Sequence, residues 1–525
     1  MDVSRQRVAW RVALGAVLLL ALALRLRGIH NPILDHPGWR QGDTAAIARN
    51  FATLDFNPLH PQADYNGPPP NYVELELQIV PWLAATLYKV FGIHEVFGRL
   101  ISVAFSLGTV GVLAFFGRWL FARPLAGIAA ALAFAIYPGS AYYGRTFMPD
   151  TAMTFFLTAA VYAGARWIVV DDARFGRAFA AAAALAALAL LAKPVAAVGL
   201  VPIGCVLLAK KGLAGTLRAP QTYAFFALAL APYAAYDAYV RSIAEWHWAS
   251  GIAQLHVLPA LRQAFASPVN LHAKLILFEQ ALGMLNGTLL GTVGVALFCL
   301  AIVVTVTARP GRRAARALLF AWLGAALAYA FVVVTVERVD YYLYPFLPLA
   351  ALWTGGAYAL AADLPFLREA AARRTALATS AAIVILGSAS GYAAVAPYYR
   401  YNKNVYRQAK ALDAALLPKA LVVMGHYDPS VLYYIDRKGW QEDPYLWTPF
   451  NEQSAIRKGA RYFIAVEPAR LGRNVELAAW LERFPLLAAD AAWPIYETDP
   501  GKILPDAEQR WRAFRNAEKA GLRER

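Results

Sequence analysis

The chain has 525 residues, 59% of them hydrophobic and 16% charged, and a formal net charge of +16. A water-soluble protein carries about a quarter charged residues, so a wholly soluble enzyme is excluded. Much of the positive charge sits in short loops between apolar runs, which argues for orientation in a membrane and against nucleic-acid binding.

The N-terminal "MDVSRQRVAWR" is basic and precedes an apolar stretch from Val12 to Leu24. Ala21-Leu22-Ala23 resembles a signal-peptide cleavage site, but a retained anchor is the preferred reading. Apolar runs long enough to cross a bilayer core as helix then recur. The pattern predicts about eleven transmembrane helices: 8–27, 97–118, 124–143, 150–170, 178–192, 194–209, 221–240, 286–308, 317–336, 342–361 and 375–396. Spans 178–192 and 194–209 are read as a tight hairpin. With the N-terminus inside, the cytoplasmic loops hold Arg123; Arg174 and Arg177; Lys210, Lys211 and Arg218; Arg309, Arg312, Arg313 and Arg316; and Arg368, Arg373 and Arg374. The odd number of spans places the C-terminus outside. Cys205 and Cys299 both fall within apolar runs, as small packing residues do.

Three long segments fall on the external side. The first, 28–96, is Pro-rich at its centre and predicts an amphipathic helix from Thr44 to Leu54. Its apolar stretch from Ile79 to Phe91 is too short to span and reads as an interfacial helix. The second, 241–285, contains "EWHWASGIAQLH". The third, 397–525, has ordinary soluble composition. There "ALVVMGHYDPSVLYYIDRKGW" reads as strand, turn and helix, and "RYFIAVEP" as a further strand. The fold class is therefore a polytopic α-helical membrane protein, with a membrane region over 1–396 and a small external α/β domain over 397–525.

Charged residues near membrane depth are costly, about 2.5–3.5 kcal/mol at a helix centre on insertion scales, so the few present carry information. Asp43, Ile47, Phe51 and Leu54 share one face of the predicted helix. Gly-Asp-Thr is also a good helix start, so Asp43 reads equally as an N-cap. "YYGRTFMPD" sets Asp150 at the start of the fourth span, with Arg145 one turn earlier; a cap is again the plain alternative. Lys193 precedes Pro194 between two runs, either snorkelling to water or facing a pocket. "ERVDYYLYPFLP" carries Glu337, Arg338 and Asp340 beside several tyrosines; an aromatic belt accounts for the tyrosines but not for three adjacent charges. Glu74 and Glu76 precede the interfacial helix, and His247, His256 and His272 lack metal-motif spacing. No P-loop, HExxH, GxSxG or paired CxxC motif is present.

The ordered set of the Asp43 helix, Asp150, Lys193-Pro194 and "DYYLYPFLP" resembles the membrane glycosyltransferases of the C superfamily (GT-C), over most of residues 1–396. The nearest branches are the protein O-mannosyltransferases and the lipid A aminoarabinose transferases; "WRQGDTAAIARNF" and "LYYIDRKGW" resemble a bacterial subgroup of family-39 glycosyltransferases. The resemblance implies a multi-pass protein of a bacterial cell membrane, with a polyprenyl-phosphate sugar donor and a lipid, glycan or protein acceptor on the external face. It implies Asp43 and Asp150 as the catalytic acids, with Asp43 as general base, and Arg145, Lys193 or Arg338 as donor-phosphate ligands. Trp39, Arg40, Glu76, Tyr341 and Tyr342 are the substrate-binding candidates. No cofactor is certain, and a divalent metal is left open. Two positions depart from the family pattern: Thr44 stands where a second acid is usual, and "NGPPPNYVELE" stands where Lys-Pro-Pro precedes the interfacial helix. The competing readings are a transporter or flippase of lipid-linked saccharides, which would place polar sites at the bilayer midplane, and a non-catalytic polysaccharide-binding protein.

Overall fold

The computed structural model describes residues 3–308, 313–487 and 492–523; Arg309 and Arg312 lie outside them. Each of the eleven predicted apolar segments contains helix among the described residues, but they are not equivalent. Among the described residues six helices have the length and hydropathy to cross a membrane: Ser4–Leu26, Glu95–Phe121, Asp150–Val169, Pro194–Arg218, Ala315–Glu337 and one within Ala370–Ala415. Pro268–Leu289 and Gly291–Thr307 pass that test only as a pair bent by 118°. The predicted span 286–308 thus covers one arm of a broken element. Pro124–Ile136 and Arg177–Ala192 are shorter apolar helices, and 342–361 opens as a 3-10 turn, Asp340–Phe346, before Leu347–Ala361. Eleven is therefore a count of apolar segments, and six to seven the count of helices or helix pairs able to span. Runs of Ala and Gly let these helices approach closely, as in the buried contacts of Val110, Leu113, Ala126, Ala130 and Trp353.

The first loop folds against the helices instead of lying free in water. The predicted helix Thr44–Leu54 runs from Gly38 to Thr53, with Pro37 at its N-cap position. Pro fixes the backbone at the start of the first turn. Gln41 donates to the Asp35 carboxylate at 2.7 Å and to the Asp35 carbonyl at 3.0 Å, which anchors that turn without a capping side chain. The interfacial segment forms a helix at Ile79–Phe91, with Val80, Ala84, Ala85 and Tyr88 buried.

One buried carboxylate clamps the loop in place. Asp35 is fully buried and accepts from Arg99 Nη2 at 2.8 Å and Arg145 Nη2 at 2.7 Å. The same two arginines donate to the Gly28 carbonyl at 3.2 and 3.0 Å. A second clamp, Asp64, accepts from Asn50 and Lys438 at 3.0 Å each and pairs with Arg49. Because Lys438 lies far along the chain, Asp64 ties the loop to the C-terminal region.

Two short parallel strands, β1 (Val73–Glu74) and β2 (Trp246–His247), join the first and second long loops. Glu74 is fully buried and accepts from Ser250 Oγ at 2.7 Å and Arg241 Nε at 3.1 Å. The C-terminal region contains β3 (Leu421–Met424), β4 (Lys438–Gln441), β5 (Ala460–Ile464) and β6 (Ile495–Glu497), in the order β4-β3-β5-β6. β3 pairs in parallel with β4 and β5, and β6 runs antiparallel to β5. Strand alternation divides the side chains. Val422, Met424 and Ile464 join the core of the first loop around Ile47 and Phe51. Val423, Trp440 and Phe463 face a separate core with Leu477 and Trp480. Gly439 at φ +147 lets β4 run hard against Val422 of β3 and donate its N–H to the Asp64 carbonyl at 2.9 Å.

Two stability measurements follow. Asp35→Asn leaves two buried guanidiniums short of counter-charge and is expected to cost about 3–5 kcal/mol. Thermal unfolding in detergent checks this, and an unchanged melt would show that the clamp carries no weight. Glu452, buried in the C-terminal region, has its carboxyl pushed up by burial to about 8, with one hydrogen bond from Trp447 opposing the shift. A raised carboxyl favours the folded state while protonated, so stability falls as pH rises from the unfolded value of 4.5 through about 8. Glu452→Gln is expected to flatten the fall in melting temperature between about pH 5 and about pH 9.

Candidate active site

Asp43 lies in the second turn of the helix Gly38–Thr53, which removes the N-cap reading. Its placement one residue after Gly42 is set by contact: a Cβ on Gly42 would sit 2.6 Å from the Ser430 Cα, so only glycine lets this helix seat against the C-terminal region. The Asp43 carboxylate is fully buried. Arg40 Nη1 donates to one oxygen at 2.8 Å and the Tyr65 hydroxyl to the other at 2.8 Å. Burial pushes the Asp43 carboxyl above the ordinary range; Arg40 and Tyr65 hold it back, and Glu76 adds to the rise.

Arg40 bridges two acids, since its other terminal nitrogen pairs with Glu76. Burial opposes its charge, but Glu76 and Asp43, with Tyr341 and Asp150 further off, hold the guanidinium firmly charged. Asp43, Glu76, Asp150 and Tyr341 thus act on one cation. Trp39 packs edge-on to Trp248 of the second loop, with ring centroids 5.8 Å apart, and Trp248 reaches Tyr65 at 6.2 Å.

The second half of the cluster comes from three further helix ends. Asp150 opens the helix Asp150–Val169 with no capping bond; Lys193 Nζ donates to its Oδ1 at 2.7 Å, and Oδ2 is buried without a partner. Lys193 stands at the end of Arg177–Ala192, with its ammonium 5.4 Å from the Tyr341 ring centre and 5.0 Å from that of Tyr342. Cation–π contact and the ion pair together hold it inward, which answers the snorkelling alternative.

Arg145 is elsewhere. Its guanidinium is fully buried on Asp35 and lies 4.8 and 4.6 Å from the ring centres of Tyr142 and Tyr399. Its charge is engaged by the Asp35 clamp, which sets it apart from Lys193 and Arg338 among the expected phosphate ligands. Arg338 is exposed, at a left-handed φ of 45°, beside Glu337, which contacts His256 at 3.2 Å.

Two groups stand outside the site candidates taken from the sequence, although the charge of Asp340 is among those noted there. Tyr65 sits in a Pro-rich stretch with no periodicity to mark it. Asp340 accepts from Tyr143 and Thr288 at 2.5 Å each and from Tyr398 at 2.9 Å. His36 stacks on Tyr398 at 4.0 Å and reaches Asp340 at 3.8 Å. Burial works to raise the Asp340 carboxyl, but His36, Thr288 and Tyr143 together hold it below the usual range. The adjacent charges of "ERVDYY" were the available signal; their partners come from four other chain segments.

Among the described residues no group of three or more His, Cys, Asp or Glu side chains is placed to hold a metal ion. Arg40 occupies the position between Asp43 and Glu76 that a shared cation would take. The residues present therefore do not fit a metal at this pair.

Residues 78–236 match the family model described as dolichyl-phosphate-mannose-protein mannosyltransferase. No curated protein matches the chain. The fold is similar to that of ArnT from Cupriavidus metallidurans bound to undecaprenyl phosphate, with a TM-score of 0.58 at 14% identity over 96% of this chain and 100% of that one. The same protein in the apo state gives 0.58 at 17% identity, covering 95% of this chain and 100% of that one. The archaeal oligosaccharyltransferase AglB from Archaeoglobus fulgidus, in complex with an inhibitory peptide and a dolichol-phosphate, gives 0.57 at 13% identity, over 95% of this chain and 75% of that one. Residues 78–236 thus carry the sequence pattern of the mannosyltransferase family, and the chain over nearly its whole length has a fold similar to that of these solved membrane proteins.

Proposed function

We propose that the protein transfers a sugar from a polyprenyl-phosphate donor to a hydroxyl or amine acceptor at the external face of a bacterial cell membrane, with Asp43 as general base. The observation that carries this reading is the buried Asp43 carboxylate, hydrogen-bonded by Arg40 and Tyr65 and pushed up by burial. A base raised above the ordinary carboxylate range accepts a proton more readily, and the paired Arg40 guanidinium favours its ionised form. Asp43 takes the proton from the acceptor as its oxygen or nitrogen bonds to the anomeric carbon. The bond from that carbon to the donor phosphate oxygen breaks, and the phosphate leaves with the electron pair. Direct displacement inverts the anomeric configuration.

The leaving phosphate gains negative charge, which a preorganised cation stabilises. Lys193 is the cation assigned to it, exchanging part of its contact with Asp150 for the phosphate; Arg338 supplies a second, exposed cation. Arg40 holds Asp43 and Glu76 in register, and Trp39, Tyr341 and Tyr342 offer aromatic faces to the sugar. An apolar cavity of about 430 Å³, lined in part by Leu132, Ile136, Leu290, Leu297 and Val384, suits an isoprenoid chain and begins beside Pro138. Pro138 opens the short helix that ends at Tyr143, a partner of Asp340. The segment 397–525 is assigned to the external side with the first loop, on which its sheet packs.

Two measurements test the base. Asp43→Asn is expected to lower transfer from polyprenyl-phosphate sugars by about 10²–10⁴-fold; full activity would sink the assignment. Tyr65→Phe removes a hydrogen bond to the anion, so the Asp43 carboxyl rises further. The acid limb of the pH–rate profile is then expected to move to higher pH, whereas a purely structural role for Tyr65 would lower the rate without moving the limb.

A further inference from the structure

The C-terminal sheet has a topological switch point that the transfer chemistry does not use. β3 is central, and the chain leaves it for β4 on one side while β5 pairs on the other. Open parallel sheets bind ligands outside the carboxyl ends of their strands where the order switches. Here that edge gathers His426 and Tyr427 after β3, Gln441 and Glu442 at the end of β4, and Glu467 after β5.

These groups are incompletely satisfied. Gln441 is only 6% exposed, and its Oε1 is buried without a hydrogen-bond partner. Its register opposite Met424 puts it on the sheet face turned toward the first loop. His426 Nδ1 likewise has no hydrogen-bond partner and lies 3.7 Å from the Glu467 carboxylate. Burial pushes the Glu442 carboxyl up to about 7, so near neutral pH a protonated form able to donate is well populated. Tyr427 is 59% exposed, and its hydroxyl feels both Glu442 and Glu337, so the edge opens toward the helix end that carries Arg338. The same strand-to-helix loop reaches the candidate active site: the Asp428 carboxylate lies 3.2 Å from where a Cβ on Gly38 would stand, and Ser430 backs onto Gly42.

We propose that this edge, built from His426, Tyr427, Gln441 and Glu442, is the acceptor-recognition site and takes a hydroxyl-rich saccharide group. An amide, an imidazole, a carboxyl and an exposed phenol are hydrogen-bonding groups beside an aromatic face, the set that reads sugar hydroxyls. A phosphate would call for fixed positive charge, which none of the four supplies; a cationic peptide, which the Glu467 carboxylate beside His426 would also attract, is set against the saccharide in the test. The proposal rests on the glycosyltransferase reading for its description as an acceptor site, while its binding test stands apart from turnover.

The full chain in detergent is applied to a printed saccharide array that also carries basic and neutral peptides, as wild type, Asp43→Asn, Gln441→Leu and Tyr427→Ala. Wild type and Asp43→Asn are expected to bind the same saccharides, and both sheet-edge variants to bind them at least roughly tenfold more weakly, about the loss of one well-made hydrogen bond. Tyr427 is exposed, so its variant separates recognition from folding, and its melt serves as the check. No saccharide binding, binding confined to peptides, or binding unchanged in both sheet-edge variants overturns the proposal. Saccharide binding that is lost in both variants, with no transfer by the wild type from any polyprenyl-phosphate sugar, overturns the proposed reaction and leaves the saccharide site standing.

Discussion

The Asp35 carboxylate, fully buried between Arg99 and Arg145, is the contact on which the rest of the arrangement depends. A loop of 28–96 with this much polarity would ordinarily stay in water. Asp35 gives it a reason to fold inward, because two buried guanidiniums need a counter-charge and both pair with it. Gln41 hangs from the same carboxylate, so the helix that begins at Gly38 starts at a fixed point on the helix bundle. Asp43, two residues after Gln41, inherits that position. Breaking the pair exposes the cost of two unpaired charges, whereas the intact trio is self-consistent.

A second constraint acts from the other side. Gly42 has no room for a side chain against Ser430, and Asp64 collects Arg49, Asn50 and Lys438. The helix carrying Asp43 is therefore wedged between the membrane-type helices and the C-terminal sheet. This explains why nearly every residue from Arg40 to Phe51 is buried, polar ones included, and not one face alone. It also explains why Asp43 feels burial so strongly: the carboxylate is sealed on both sides, with charge relief only from Arg40 and Tyr65.

The division of the cations follows from the same packing. Arg145 belongs to the clamp and Arg40 to the Asp43–Glu76 pair. Lys193 is held near Asp150 with two tyrosines flanking it, and Arg338 is left exposed. Basic residues that look interchangeable along a chain are thus distinguished by what each already neutralises. A guanidinium with a buried carboxylate on one side and an aromatic ring on the other has little left to offer a phosphate; an ammonium with one partner has two donors to spare.

The sequence alone determined the class of molecule, the apolar segments, and the residues at which charge had to be explained. Hydrophobic length is a local property, and each predicted segment contains helix for that reason. The strand, turn and helix in "ALVVMGHYDPSVLYYIDRKGW" were legible on the same local grounds, as was the helix Ile79–Phe91. The number of segments able to span was not, because a 118° break and short helices look continuous in composition. The start of the Asp43 helix was missed by several residues, since a buried Gln41–Asp35 contact replaced the capping signal. Which arginine serves the fold and which serves the site, and that Tyr65 completes Asp43, were decided only in three dimensions. Such pairings join residues up to hundreds of positions apart, and no local pattern encodes which partner a buried charge will find.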